Sequence, residues 1–220
     1  LRAVKSEQEI EFIAKAQSIA DEAFSRLLPL IKPGVTEIDL ALELEFTMRK
    51  LGSEGVAFPF IVVSGVRSSL PHGVPTRKQL EPGDFVTLDF GARCNGYCSD
   101  MTRTVVVGHA SDKHKEIYDV VLRAQLAALE VIRPGIPARE VDLAGRRVIE
   151  EAGYGEYFGH GIGHGVGLNV HEKPAVGKTS EDMLEPGMVI TVEPGIYIPG
   201  FGGVRIEDLV VVTEDGKKNL

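Results

Sequence analysis

Apolar residues recur at helical spacing from the start of the chain. Ile10, Ile13, Ala14, Ala20, Phe24, Leu27 and Leu28 fall on one face, interrupted at Gln17, and Ser6 with Glu9 spells a capping box ahead of them. This predicts a first helix, stopped by Pro33-Gly34 at the latest. A second helix is predicted from near Thr36 to Leu51, with Gly52 as its cap. From Phe58 to Val107 the pattern changes. Phe60-Ile61-Val62-Val63, Phe85-Val86-Thr87-Leu88 and Thr104-Val105-Val106-Val107 are short β-branched runs between Gly, Pro and Asn turns, which read as strands.

The succession then starts again. Helices are predicted from about Ser111 to Ile132 and on to near Gly153, with Pro134-Gly135 between them. Strands follow over Met188–Val192, Gly195–Ile198 and Val204–Thr213. Ile31-Lys32-Pro33-Gly34 matches Ile132-Arg133-Pro134-Gly135 and, at nearly the same offset, Leu80-Glu81-Pro82-Gly83 matches Leu184-Glu185-Pro186-Gly187. Two anchors in order favour duplication over chance. The expectation is one α+β domain over 1–220 with internal repeats at about 6–108 and 111–216, related by a pseudo-two-fold axis. An acid recurs at the same place in each half, Asp89 in the first and Glu193 in the second.

Composition narrows the function. Hydrophobic residues are 43% and charged residues 25%, which excludes a disordered chain. No apolar run approaches the ~18 residues of a membrane span. A net charge of −8 argues against nucleic acid as a partner, because phosphates want the opposite sign, and the surplus carboxylates leave room for cations. Two cysteines, Cys94 and Cys98, cannot build a disulfide framework, which predicts a reducing, cytoplasmic compartment. The chain opens at Leu1 with no signal peptide pattern and is read as a fragment of a longer protein.

Asp89 and Asp100 lie on either side of Asn95-Gly96, the strongest short hairpin signal. With a two-residue loop, Cys94 faces Tyr97, Arg93 faces Cys98 and Asp89 faces Thr102. Both acids then share one face as diagonal neighbours, roughly 5–8 Å apart at Cβ. A one-residue slip would part them. Glu193 and Glu207 repeat the arrangement about a turn at Pro199–Gly203, which sets them opposite each other. One acidic pair alone would read as a solvated face. Two pairs related by duplication, set in apolar strands, repel unless compensated and point to metal, since four carboxylates can hold two divalent cations.

Of six histidines, His109 and His114 fall in a polar loop and helix start and are expected at the surface. His72 lies in Leu70-Pro71-His72-Gly73. His160, His164 and His171 share one Gly-rich segment, read as a loop that brings backbone close to a ligand and lets side chains converge. A single neutral imidazole would complete a site otherwise made of oxygens.

Together these segments resemble the metal-dependent peptidase family of methionine aminopeptidase, prolidase and aminopeptidase P. The motifs are Asp89-Phe90-Gly91 with Ser99-Asp100-Met101-Thr102-Arg103-Thr104, Gly159-His160-Gly161-Ile162-Gly163-His164-Gly165, Thr191-Val192-Glu193-Pro194-Gly195, and Val204-Arg205-Ile206-Glu207-Asp208. The resemblance implies a pita-bread (creatinase/aminopeptidase) fold with duplicated α/β halves and an antiparallel curved sheet. It implies five metal ligands, Asp89, Asp100, His164, Glu193 and Glu207, with Asp100 and Glu207 bridging two divalent ions. Oxygen-rich ligation leans to Mn²⁺, with Co²⁺, Fe²⁺ or Zn²⁺ as alternatives. One point is ambiguous by text. A methionine aminopeptidase pattern matches His160, but His164 stands seven residues before His171, the family's distance from ligand to the downstream His-Glu. The longer His-Gly-x-x-His form belongs to prolidase and aminopeptidase P, which assigns His164 as ligand.

The implied activity is dinuclear metal-dependent hydrolysis of Xaa-Pro peptide bonds, with metal-activated hydroxide attacking the scissile carbonyl of a proline-containing peptide or dipeptide. Glu193 would carry the proton, and His171 or His72 would donate to the oxyanion. His160, Arg205 and Tyr197 match positions around the substrate, and Arg205 could equally pair with a ligand carboxylate. The alternatives are a methionine aminopeptidase and a metal-free binding module or creatinase-like relative. The resemblance further implies a homodimer and an N-terminal domain ahead of Leu1 in the full-length protein. Cys94 and Cys98 fall outside the ligand set.

Overall fold

The computed structural model describes residues 2–220. Ser6 caps α1 (Glu7–Leu27) by accepting from the Glu9 amide, while the Glu9 carboxylate returns to the Ser6 amide. Thr36 and Asp39 repeat this box at α2 (Glu37–Lys50), and Gly52 follows with φ +104°. The α1 face that is buried differs in part from the expected one. Ile13, Ala16, Ile19, Ala20, Ala23 and Leu27 are buried, whereas Leu28 begins an exposed 3₁₀ turn. Gln17 is buried with them and donates to Met101 Sδ and Asp21, so the polar interruption sits inside the packed face.

Strands β1 (Ile61–Ser64) and β2 (Phe85–Phe90) follow, and then the short hairpin β3 (Arg93–Cys94) and β4 (Tyr97–Cys98). Next come β5 (Met101–Val106), α3 (Asp112–Val131) and α4 (Ala138–Glu151). The hairpin has the expected register, with Cys94 opposite Tyr97 and Arg93 opposite Cys98. Asn95 (φ 49°) and Gly96 (φ 80°) take the left-handed conformation a two-residue turn requires, and Glu54 accepts from both of their amides. The register carries on into β2 and β5, where Asp89 faces Thr102.

The remaining strands are β6 (Gly163–Gly165), β7 (Glu172–Val176), β8 (Val189–Val192), β9 (Gly195–Ile198), β10 (Gly202–Arg205), β11 (Asp208–Val212) and β12 (Lys217–Asn219). All ladders are antiparallel. One sheet runs β1-β2-β5, a second runs β12-β11-β8-β6-β7, and β9 pairs with β10. Two expectations are corrected here. His164 lies on β6, between β7 and β8, and not in a free loop. The predicted strand Val204–Thr213 is two strands, because the Glu207 amide leaves the β9 partner and donates to the Thr102 carbonyl of the first sheet.

Helices α1 and α2 bury Ala20, Leu40, Leu44 and Met48 against Val62, Val86, Leu88 and Phe90. Helices α3 and α4 bury Val121, Ala124, Val141 and Ile149 against Ile190, Ile196, Val204 and Val210. Each helix pair therefore backs its own sheet, in the same order in both halves. The sheets meet at a seam where Thr104 Oγ donates to the Arg205 carbonyl and Thr102 faces Glu207. No helix of the described residues is long and apolar enough to cross a membrane.

Candidate metal centre

The seam brings the predicted acids together. Asp89 is the penultimate residue of β2, Asp100 precedes β5, and Glu193 and Glu207 sit in the gaps between β8 and β9 and between β10 and β11. The β9–β10 register extrapolates to Glu193 opposite Glu207, as the turn spacing predicts. Carboxylate oxygens of Asp100 and Glu207 and a ring nitrogen of His164 all lie within 4.8 Å of one another. Nε2 of His164 is 3.3 Å from Glu193 Oε1 and 3.5 Å from Asp100 Oδ2.

His164 is held by backbone. Its Nδ1 lies 3.1 Å from the Gly165 carbonyl, which turns Nε2 toward the acids, where it donates to Glu193 without a metal and would offer its lone pair to a bound ion. Its amide donates to Thr191 Oγ1, which itself donates to Glu193 Oε1. Gly163 is required beside it, because a Cβ there would stand 2.0 Å from the Thr191 carbonyl oxygen. His160 is placed differently. Its Nδ1 lies 2.8 Å from the Gly161 carbonyl and its Nε2 lies 2.8 Å from the Tyr197 hydroxyl, so both nitrogens are engaged away from the acids.

Arg205 is the hub between these groups. It donates to Asp89 Oδ2 at 2.6 Å, to the Tyr197 hydroxyl at 2.9 Å and to Thr102 Oγ1 at 3.1 Å. The ion pair with Asp89, one of the two roles open to it in sequence, is present, and Arg205 also lines the cavity over the site. Thr102 passes the arrangement on, donating to Glu207 Oε2 at 2.6 Å. Tyr197 is 7% exposed, so it lies behind the site wall rather than on it.

Four carboxylates share this place with one guanidinium, and the electrostatics show the strain. Burial drives the Asp100 carboxyl well above its usual range, and Glu207, Asp89 and Glu193 add repulsion. Glu207 is pushed well up in the same way, by burial first and then by Glu193 and Asp89. Burial also raises Asp89 against the pull of Arg205. Glu193 goes the other way, since burial opposes its charge but contact with His164 outweighs burial and holds the carboxyl low. The same contact overcomes burial at His164 and raises its imidazole. Burial lowers His160 and His171, and it pushes Tyr197 up to about 12.

The residues fit a cation centre. Asp89 Oδ1 is buried with no hydrogen-bond partner, a group that costs free energy unless something positive meets it. The donor set, hard oxygens with one imidazole, suits divalent ions. A cavity of about 500 Å³ opens over it, with His72, His160, His164 and His171 along one side and Phe58, Pro59, Phe60, Ile61, Val74 and Val170 supplying an apolar wall. The His171 ring lies against the His164 ring, tilted by 46° with centroids 4.2 Å apart. Cys94 and Cys98 are buried free thiols outside the centre. His109 is exposed as expected, but His114 is half-buried between the rings of Phe85 and Phe201, which corrects its surface assignment.

Several supporting residues carry no signal in the sequence. Thr102 and Thr191 stand inside the quoted motifs, yet their hydroxyls gain meaning only once the strands are paired. Asp142 and Arg146 on α4 hold the His160 segment: Asp142 accepts from the Ile162 amide, and Arg146 donates to the carbonyls of Phe158 and His160.

Comparison with known proteins places this geometry. The sequence pattern of metallopeptidase family M24 matches residues 11–214. The chain is 51% identical over its full length to an Xaa-Pro dipeptidase of Pyrococcus horikoshii, covering 63% of that protein. It superposes on an Xaa-Pro dipeptidase from Bacillus anthracis with a TM-score of 0.98 at 56% identity, covering 99% of this chain and 61% of that one. It superposes on an X-Pro aminopeptidase from Thermotoga maritima with a TM-score of 0.97 at 48% identity, covering 99% and 62%. The chain spans 62–63% of the length of these curated relatives.

Proposed function

The chain belongs to metallopeptidase family M24, and from that premise we propose that the protein hydrolyses the peptide bond on the amino side of proline, using two divalent metal ions. Asp89, Asp100, His164, Glu193 and Glu207 would hold the ions, with Asp100 and Glu207 shared between them. The observation that carries this reading is the group of buried acids converging on Nε2 of His164, with Arg205 alone among the described guanidinium and ammonium groups paired to one of them. The hard donor set favours Mn²⁺ over softer ions. When bound, such ions polarise a carbonyl and lower the pKa of a coordinated water toward neutrality.

The chain's own residues supply the rest. Glu193 takes a proton at Oε and delivers it to the departing proline nitrogen, which must be protonated to leave. His171 or His72 donates an N–H to the carbonyl oxygen as negative charge builds on it. Burial keeps His171 neutral near pH 7, so one of its nitrogens still carries a proton to donate. Arg205 fixes Asp89, and Tyr197 fixes the His160 ring at the cavity edge. The apolar wall from Phe58 to Ile61 suits a proline ring, which brings no N–H needing a partner. The substrate would be a dipeptide or a longer peptide, and the full-length protein is proposed to work as a homodimer.

The test is a direct comparison in the full-length, Mn²⁺-loaded protein. Ala-Pro and Ala-Pro-Ala are expected to be cut, Met-Gly-Met to be left intact, and chelation to abolish cleavage until Mn²⁺ is restored. Preference for Met-Gly-Met would favour a methionine aminopeptidase. Cleavage that survives chelation would end the metal reading.

A further inference from the structure

Resting on the reading in which His72 faces the substrate, we propose that Glu37 is a positioning residue for His72, acting through the segment 64–76. His72 lines the cavity, but its imidazole makes no hydrogen bond to another side chain among the described residues. Its place is therefore set by the backbone that carries it. That backbone has no regular strand between β1 and β2 beyond a short 3₁₀ stretch at Gly65–Ser69.

Glu37, on the first turn of α2, is fully buried and gathers both ends of this segment onto one carboxylate. At the near end, Oε1 accepts from the Ser64 amide at 2.7 Å and the Ser64 hydroxyl at 3.0 Å. At the far end, Oε2 accepts from the Thr76 amide at 3.0 Å and the Thr76 hydroxyl at 2.7 Å. Arg67 Nε spans the two oxygens at 3.2 and 3.1 Å, and the same guanidinium reaches across to the Val74 carbonyl at 2.7 Å. The clasp thus closes a loop whose middle is Pro71-His72. Arg205 touches that middle through the Pro71 carbonyl at 3.4 Å, which ties it to the acid that pairs with Arg205, Asp89.

A charged acceptor meeting two amides, two hydroxyls and a guanidinium is the strong kind of hydrogen-bonded anchor. Loosening it should let the His72 ring wander on the scale that costs catalysis most when a donor is needed only in the transition state. In the second half, Asp142 and Arg146 brace the His160 segment by the same chemistry from α4. That brace gives an internal control.

The test uses the full-length, Mn²⁺-loaded protein with Thr76→Val, which removes one donor at the far end and keeps side-chain shape, alongside Glu37→Gln. Thr76→Val is expected to raise amide hydrogen exchange across 65–76 and leave 158–162 unchanged. It is expected to lower kcat on Ala-Pro about 10-fold or more with KM within about threefold, the range seen when a supporting contact to a site residue is removed. In a His72→Ala background the same substitution should cost nothing further, because the residue it acts through is gone. Unchanged exchange across 65–76, or an equal kcat loss in both backgrounds, would overturn the proposal. Glu37→Gln should follow the same pattern more strongly, and if it fails to fold the Thr76→Val result decides. A parent enzyme that cuts no Xaa-Pro bond would sink the functional reading alone, and the exchange data would still decide whether the clasp orders this segment.

Discussion

At the scale of single residues, the site depends on charge balance that the acids cannot reach alone. Arg205 is 3% exposed and donates to Asp89 Oδ2, Thr102 and Tyr197 at once. Replacing it by Met removes the one guanidinium that the described residues bring to the cluster and leaves a buried carboxylate uncompensated, which is expected to destabilise the metal-free fold by about 3–5 kcal/mol. Urea unfolding in chelator measures this, and Lys is not expected to rescue it, because a single ammonium cannot serve three partners in a fixed fork. A loss below about 1 kcal/mol would show that Asp89 needs no partner. The acids themselves were legible in sequence because strand alternation and an Asn-Gly turn fix their register by local rules. The Arg205 ion pair was legible only as one of two options, because Asp89 lies 116 positions away and nothing local joins them.

At the scale of elements, the errors share a cause. Gly163, His164 and Gly165 read as loop because glycine disfavours strands on its own, yet β6 forms where two neighbouring strands allow no Cβ. The long strand predicted to reach Thr213 breaks at Glu207 because the first sheet captures that amide. His114 reads as surface because the residues around it are polar, but the start of α3 folds it between Phe85 and Phe201 at 4.5 and 5.2 Å. There its Nδ1 accepts from the Ser111 amide, which only the neutral ring can do, and burial lowers its pKa. The sign follows. Below the unfolded value of about 6.5 the unfolded chain binds the proton more readily than the fold. Stability from this residue is therefore full above that value and is lost as pH falls below it, through the lower folded value. Urea midpoints at ~pH 7 and ~pH 5.5 should converge in His114→Gln relative to the parent protein, with Gln keeping a capping partner for Ser111. An unchanged pH dependence would contradict it.

For the whole molecule, the duplication shows in the Pro-Gly anchors, whereas the seam does not, because Thr102 and Glu207 meet across 105 positions. That seam is where the pita-bread halves converge, and it places four acids where burial penalises their charge. Asp100 and Glu207 are both pushed well up, burial being the main cause and mutual repulsion the next. A carboxyl with a raised folded pKa binds protons more readily in the fold than in the unfolded chain, so its ionised form at neutral pH opposes folding. The metal-free protein should then gain from losing one of these charges. Asp100→Asn is expected to be at least as stable as the parent in chelator at pH 7. With Mn²⁺ the order should reverse, because an ion bound only by the fold adds about 2.7 kcal/mol at a hundred times its Kd, and Asp100→Asn forfeits most of that. Thermal unfolding of both proteins with and without Mn²⁺ reads the crossing directly. Parallel shifts in the two proteins would mean that the ion binds elsewhere, and a variant less stable than the parent in chelator would mean that the acids are already balanced without it.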